Sequence, residues 1–303
     1  MKEKAEVLRE KPSMKTWLMA ARPKTLTAAF APVLVATFLA RGQGYVVDWS
    51  LSAYALISSL CIQVATNLVN DALDFKKGAD NDHRIGPARV TQQGLLTSQQ
   101  VLAGGGIFFL AAFLFSIPLI IKGGLVIACV VALSIGGGYI YTGGPYPLAY
   151  KGLGDLFVIL FFGLISTASI YYIQTLQVDV APFLAGLQVG LLCTVLIAIN
   201  NLRDSEEDKK VGKMTLAARC GKTFSRIEIT LLAFLPFLLS LFWFQLGFAF
   251  AAVIPWVTVL LAFKLVKSIW TTEPGKIYNV FLGFAALLHL AFSVLLCIGF
   301  SIP

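Results

Sequence analysis

Apolar runs of about 20 residues, separated by short charged segments, make up most of the chain. That is the length one helix needs to cross the hydrocarbon core of a bilayer. The pattern predicts nine helices, at 16–40, 50–75, 98–121, 124–142, 154–176, 181–203, 224–246, 248–268 and 278–301. Lipid cannot satisfy free backbone groups, and the alternation of a transmembrane barrel is absent, so the expected class is an all-α polytopic membrane protein. Pro23, Pro32, Pro118, Pro236 and Pro255 fall in or beside these runs and should bend several of them.

The charges orient the bundle. With the N-terminus in the cytoplasm, 22 of the 24 Lys and Arg fall in cytoplasmic segments, and only Arg41 and Lys122 fall outside. Nine spans then put the C-terminus outside. Residues 1–15 read as a charged cytoplasmic tail, without the small-residue cleavage site of a signal peptide and without a lipidation motif.

Composition narrows the class further. The chain of 303 residues is 57% hydrophobic and only 13% charged, against about 25% charged for a soluble domain. A cytosolic enzyme, a nucleic-acid-binding module and a disordered chain are excluded. The net charge of +8 follows the membrane topology and implies no nucleic acid. Five cysteines give no disulfide framework: Cys61, Cys129, Cys193 and Cys297 lie in apolar runs and Cys220 in a loop.

The 16 acids are the unusual feature. Two clusters meet the membrane at corresponding places, at the cytoplasmic ends of the second and sixth predicted helices. One runs Asn67, Asn70, Asp71, Asp74, Lys76, Lys77, Gly78, Asp80, Asp82; the other runs Asn200, Asn201, Asp204, Asp208, Lys209, Lys210, Gly212. Asp71 and Asp204 are 133 residues and four helices apart, so both clusters face one side. That implies a parallel repeat, 16–142 and 153–268, with 278–301 as a ninth helix completing one membrane domain. Inverted repeats, common in ion-coupled carriers, would place matching motifs on opposite sides. A divalent-cation carrier using the same carboxylates is the non-enzyme alternative, and the parallel repeat counts against it.

Spacing suggests what the clusters do. Asn67 and Asp71 are i, i+4, Asp71 and Asp74 are i, i+3, and Asn200, Asp204 and Asp208 step by four, so each set shares a helix face. Unpaired carboxylates that close repel one another and are costly near lipid. A hard divalent cation removes both problems, and oxygen-only donors suit Mg2+, which binds readily through one or two carboxylates plus substrate phosphates. The competing reading is a pair of solvated helix ends with lysine counter-charges. Two matched clusters in the same order favour the metal.

The paired aspartate motifs resemble the UbiA superfamily of intramembrane aromatic prenyltransferases, and more narrowly its dihydroxynaphthoate polyprenyltransferases of menaquinone biosynthesis. The segments that carry the resemblance are 21–25 (ARPKT), 67–78, 84–94 (RIGPARVTQQG), 141–147 (YTGGPYP) with 152–155 (GLGD), and 204–215. The superfamily's first motif usually reads NDxxDxxxD; here Gly78 takes the last position, with Asp80 and Asp82 just after.

The resemblance implies a UbiA-like bundle in a bacterial inner membrane, with its site on the cytoplasmic side. It implies transfer of a polyprenyl group from its diphosphate to the carboxylate-bearing carbon of 1,4-dihydroxy-2-naphthoate, with loss of diphosphate, carbon dioxide and a proton, giving demethylmenaquinone. Another aromatic acceptor, or a phytyl donor as in phylloquinone synthesis, remains open. On this reading Asn67, Asp71, Asp74, Asp80, Asn200, Asp204 and Asp208 hold Mg2+. Arg89, Arg203 and Lys213 contact the diphosphate, and Asp71, Asp74, Asp204, Asp208, Arg89, Lys213 and Tyr141 are the catalytic set. Arg22 and Lys24 are diphosphate or acceptor-carboxylate contacts, or a positive-inside anchor. Tyr139, Tyr141 and Tyr146 are interface tyrosines, or rings that stabilise the allylic cation.

Asp155 reads as a helix-dipole partner, His83 as a loop residue and His289 as a packed polar residue. Phe157, Phe161 and Phe162 read as ordinary core or lipid-facing residues. The glycines 104–106 and 136–138 would permit close helix contact.

Overall fold

The computed structural model describes residues 13–80 and 85–302. Among these there is no strand; the chain is a bundle of helices. They are α1 (Met14–Ala21), α2 (Thr27–Gly42), α3 (Trp49–Lys76), α4 (Ser98–Ile140), α5 (Gly154–Thr175), α6 (Ala181–Lys210), α7 (Leu216–Gln245), α8 (Ala249–Thr271) and α9 (Tyr278–Ser301). Seven of them, α3 to α9, are long and apolar enough to cross a membrane. This is an integral membrane protein.

The first predicted helix is broken. Arg22 sits in the left-handed region (φ 53°, ψ 67°), and Pro23–Thr25 form one 3-10 turn before α2 begins. Proline disfavours α geometry in the residue before it, so Arg22 leaves the helix and its side chain is turned toward α3.

The third and fourth predicted helices form one backbone run, α4. Its 43 residues would span about 65 Å if straight, twice a bilayer core. It is not straight. Gly124 takes φ 64°, ψ −150°, a conformation open to glycine alone, and the two halves fold back on each other. The fold-back is visible at Gly138, where an added Cβ would lie 3.2 Å from the Phe109 ring in the first half and 2.5 Å from Thr66 of α3.

Two further boundaries differ from the sequence expectation. Helix α6 runs on to Lys210, well past residue 203. Helix α7 starts at Leu216, capped by the Thr215 hydroxyl, which accepts from the Ala218 amide, and is broken at Gly221 (φ 83°, ψ 179°), so its long apolar part begins only beyond that residue. Cys220 therefore lies on a helix, exposed, and not in a loop.

Helix α6 is buried along most of its length and forms the centre, whereas α4 is the least buried and carries the lipid rim, with Ile121, Leu125, Val126 and Leu133 exposed. Close backbone contact seats α6 against α5. Cβ atoms added at Gly163 and Gly190 would lie 2.5 Å from the Gly186 carbonyl and 2.9 Å from the Ile159 carbonyl. Over that contact, Ile159–Ile165 wind as a π-helix. Mid-bundle polar groups are mostly paired: Gln188 donates to the Pro236 carbonyl and Ser240 and accepts from Trp243 Nε1 at 2.9 Å. His289 is fully buried, and neither of its ring nitrogens has a partner.

Of the glycine triplets, Gly104 and Gly105 face Trp17 and Val69 closely, and Gly137 and Gly138 face Phe157 and Thr66. Gly106 and Gly136 have open space.

Candidate active site

The two acid clusters meet at one end of the bundle. Asp71, Asp74 and Asp208 are only 1%, 5% and 6% exposed, so these are not solvated helix ends. Lys213, just beyond α6, reaches between the motifs. Its ammonium lies 3.8 Å from Asp74 Oδ2 and 3.6 Å from Asp208 Oδ1. Burial alone would lower the Lys213 pKa. The charges of Asp74, Asp208, Asp80 and Asp204 outweigh it and hold the ammonium above its usual value.

The other carboxylates have different partners. Asp71 accepts from the backbone amides of Val90 (3.3 Å) and Thr91 (3.2 Å) and from the Thr91 hydroxyl, pinning the 85–94 loop over α3. Asp204 takes a bidentate pair from Arg203 (2.8 and 2.6 Å). Arg203 also donates to Asn200 (2.7 Å) and to Asn279 of α9 (2.6 Å). Asp80 pairs with Arg89 at 3.3 Å. The Asn67 side chain donates to the Ala21 carbonyl and to Thr25, and the Asn67 backbone carbonyl accepts from Arg22 at 3.4 Å. Among the described residues no three Asp, Glu, His or Cys side chains close on one point. Asp82 and His83 lie outside the described residues, as does the Lys24 side chain.

Two adjoining cavities carry the site. The smaller, about 60 Å³, is polar; Asp74, Lys213, Asn201 and Asp155 line it. The larger, about 830 Å³, is mostly apolar and runs between the helices; Asn67, Asp71, Phe157 and Phe161 line it. Arg22, Asn70, Arg89, Tyr141 and Asn200 line both. Asp204, Asp208 and Arg203 stand behind these walls.

Tyr141 is the tyrosine at the junction, whereas Tyr139 and Tyr146 are exposed. The rings of Tyr141, Phe157 and Phe161 form a ladder (centroids 5.5 and 4.3 Å apart) along the larger cavity. Phe157 and Phe161 are therefore cavity residues. Asp155 lies in the first turn of α5, as expected for a helix-dipole partner, and is buried, with Oδ1 unpartnered and Oδ2 3.5 Å from Asn201.

Several site residues were not anticipated. Tyr150 donates to Asp74 Oδ1 at 2.9 Å and lies under the Lys77 ammonium, 4.4 Å from its ring centroid. Burial and the Asp74 charge push the Tyr150 hydroxyl well above its usual pKa, so it remains a donor. Thr142 bonds to Asn70, and Lys77 to the Thr142 carbonyl at 2.5 Å. Asn70 stood in the quoted motif; Thr91 stood in the 84–94 segment and Thr142 in 141–147.

The donor set fits a hard divalent cation. Every group is an oxygen donor, and carboxylates from the two motifs already face a single cation, the Lys213 ammonium. Residues 29–298 match the UbiA prenyltransferase family. The chain belongs to it.

Relatives agree. The chain is 35% identical over 256 residues to the 1,4-dihydroxy-2-naphthoate octaprenyltransferase of Haemophilus influenzae, covering 82% of this chain and 81% of that protein. It is 37% identical to the Escherichia coli protein of the same name, over 69% of this chain and 70% of that one. The human UbiA prenyltransferase domain-containing protein 1 is 29% identical over 95% of this chain and 86% of its own length. Among solved structures, the apo UbiA homolog of Aeropyrum pernix superposes with a TM-score of 0.67 at 14% identity (93% of this chain, 98% of that one). The Archaeoglobus fulgidus homolog bound to GPP and Mg2+ gives 0.66 at 15% identity (93% and 99%). At such identities these two bear on the fold alone.

Proposed function

We propose that this chain transfers a polyprenyl group from its diphosphate to 1,4-dihydroxy-2-naphthoate, giving demethylmenaquinol (the reduced form of demethylmenaquinone), carbon dioxide and diphosphate. The observation that carries the reading is the join of two unlike cavities, one polar and cationic, one long and apolar, at Arg22, Asn70, Arg89, Tyr141 and Asn200. An amphiphilic diphosphate ester needs that pairing, and an ion path does not need 830 Å³ of apolar wall.

On this reading Lys213, Arg89 and Arg22 bind the diphosphate, as charge-assisted donors. Asp71, Asp74, Asp204 and Asp208, with Asn67, Asn200 and Asp80, would hold Mg2+ directly or fix the groups that do, and the ion would supply charge neutralisation for the leaving diphosphate. The allylic carbon–oxygen bond breaks with its electron pair going to diphosphate. The Tyr141, Phe157 and Phe161 rings face the resulting cation and keep water away from it. The ring carbon bearing the carboxylate forms the new bond. The carbon–carboxylate pair then returns to the ring as carbon dioxide leaves, so an ionised acceptor needs no general base. The N-terminus and the site lie on the cytoplasmic side of a bacterial inner membrane, where both polar substrate ends are dissolved; eight passes build the two parallel halves and a ninth completes the domain.

The test uses purified protein in detergent with dihydroxynaphthoate and a polyprenyl diphosphate, with and without Mg2+. Mass spectrometry should find the decarboxylated, prenylated quinol only with the metal. Product with hydroxybenzoate or homogentisate and none with dihydroxynaphthoate would reject the acceptor assignment.

A further inference from the structure

One hydroxyl fixes the orientation of two amides beside the site. Thr25 donates to the Arg22 carbonyl at 2.9 Å, which commits its only proton. Toward Asn67 Nδ2 (3.0 Å) and Gln63 Nε2 (3.5 Å) its oxygen can therefore only accept. Both side chains must turn their NH2 groups to it. Asn67 gains a second bond, to the Ala21 carbonyl at 3.0 Å. Gln63 is left with its carbonyl facing elsewhere, and Oε1 is buried with no partner.

Gln63 is 8% exposed and forms part of the larger cavity's wall. Thr27, on the same wall, also has a buried hydroxyl oxygen without a partner. A buried acceptor left unpaired is uncompensated for its lost hydration. The terminal amide torsion is soft, and the 3.5 Å bond to Thr25 is long enough to yield, so a small turn aims Oε1 into the cavity. His289 is orphaned too, but it lies off both cavities.

Position narrows the ligand. Gln63, Asn67 and Asp71 are i, i+4 and i+8 on α3, on one face. At 1.5 Å per residue Gln63 is about 6 Å along the axis from Asn67 and about 12 Å from Asp71, toward the apolar part of the cavity. The reacting carbon of an allylic diphosphate is bonded to the diphosphate. The attacking ring must therefore sit just beyond that group, on the apolar side, which is the level of Gln63. What Gln63 lacks is a donor, and a phenolic acceptor carries one.

We infer that the Gln63 carbonyl receives a ring hydroxyl of the aromatic acceptor and fixes how the ring is presented to the allylic carbon, with Thr27 on the same wall. This rests on the aromatic-acceptor reading above. If the bonded hydroxyl is the one next to the attacked carbon, it becomes more acidic as it feeds electrons into the ring, and the bond strengthens as the reaction proceeds.

The test compares wild type with Gln63→Leu. The KM of dihydroxynaphthoate is set beside the inhibition constants of 1-hydroxy-2-naphthoate and 4-hydroxy-2-naphthoate, each lacking one hydroxyl. In the wild type, loss of the bonded hydroxyl should weaken binding about 10- to 100-fold. Gln63→Leu should weaken dihydroxynaphthoate by that factor and leave the matching analogue within about threefold, while the KM of the prenyl diphosphate stays put. Gln63→Met, of equal length, replaces the Leu variant if the latter does not purify folded. A variant that keeps the wild-type preference overturns this inference alone. A wild-type protein that prenylates no phenolic acceptor overturns the functional reading and this inference with it.

Discussion

Replacing Lys213 with Met tests whether the two acid motifs share one cation position. In the wild type the ammonium stands 3.8 and 3.6 Å from two carboxylates whose side chains are 7% and 8% exposed. At an effective dielectric of about 20 each contact amounts to roughly 4–5 kcal/mol of attraction, much of it offset by desolvation. Deleting the cation leaves two buried carboxylates facing each other, and breaking a buried pair this way costs about 3–5 kcal/mol. By the scaling of soluble domains that lowers the unfolding midpoint by about 6–20 °C. We expect this loss in detergent with EDTA. Mg2+ should recover most of it, because a divalent ion fits between the same carboxylates, and its shift should be larger in Lys213→Met than in the wild type. Lys213→Arg should resemble the wild type in EDTA. The Lys213 pKa is raised in the folded state, so its contribution is complete below the unfolded value of about 10.4 and is lost as pH rises through the higher folded value. The gap between wild type and variant should therefore hold from pH 7 to 9 and close only above about pH 10.5. Equal midpoints in EDTA, or Mg2+ shifts of the same size in both proteins, would refute the shared position.

Further expectations can be checked in the same preparation. Asp71→Ala and Asp208→Ala should abolish prenyl transfer while the protein still inserts and purifies; full activity in both would end the metal assignment. Tyr150→Phe removes the bond to Asp74 but keeps the ring under Lys77, so steady-state transfer should fall about 10- to 100-fold, the range for a hydrogen bond to a charged group; an unchanged rate would make Tyr150 a packing residue only. Gly190→Leu pushes a side chain into the Ile159 carbonyl and the Gly163 backbone, costing at least the usual 1–3 kcal/mol of overpacking, whereas Gly136→Ala meets nothing within 4 Å. Thermal unfolding should separate the two, and equal midpoints would mean that α5 and α6 do not pack as described.

Each predicted helix falls on a helix of the structure, because the run of apolar residues needed to cross lipid is a strong and local signal. Its edges are a weaker one, for a physical reason. Hydropathy ends where the chain leaves lipid, not where the helix ends. Helix α6 continues for seven residues beyond 203 as a charged helix supported by pairs such as Lys210 with Glu207 at 2.6 Å. A short helical turn over residues 216–220, its start written in Thr215 as a cap, precedes a break at Gly221, and the long part of α7 begins just beyond it, close to the predicted 224, with Lys222 and Arg226 in its first turns. The break at Gly124 was legible as a short interruption, but its left-handed backbone and the fold-back depend on contacts such as Phe109 with Gly138, which no local pattern carries.

The site divides the same way. Helical spacing put Asp71, Asp74, Asp204 and Asp208 on common faces, yet it is silent on which neighbour each one takes. Adjacent residues on a helix do not face each other. The pairing of Asp204 with Arg203 arises because a buried arginine folds along the helix to gather Asn200, Asp204 and Asn279 at once. Thr91 and Tyr150 come from loops without periodicity, and only the folding of those loops over the mouth brings them to Asp71 and Asp74. Gln63 is the instructive omission. It continues the Asn67 and Asp71 stripe by one more turn in steps of four, so its place on the wall could have been read from spacing alone. Its chemistry could not. That its carbonyl has no partner follows from a hydroxyl proton committed 38 residues earlier in the chain, at Thr25, and becomes visible only when every donor and acceptor around the stripe has been counted.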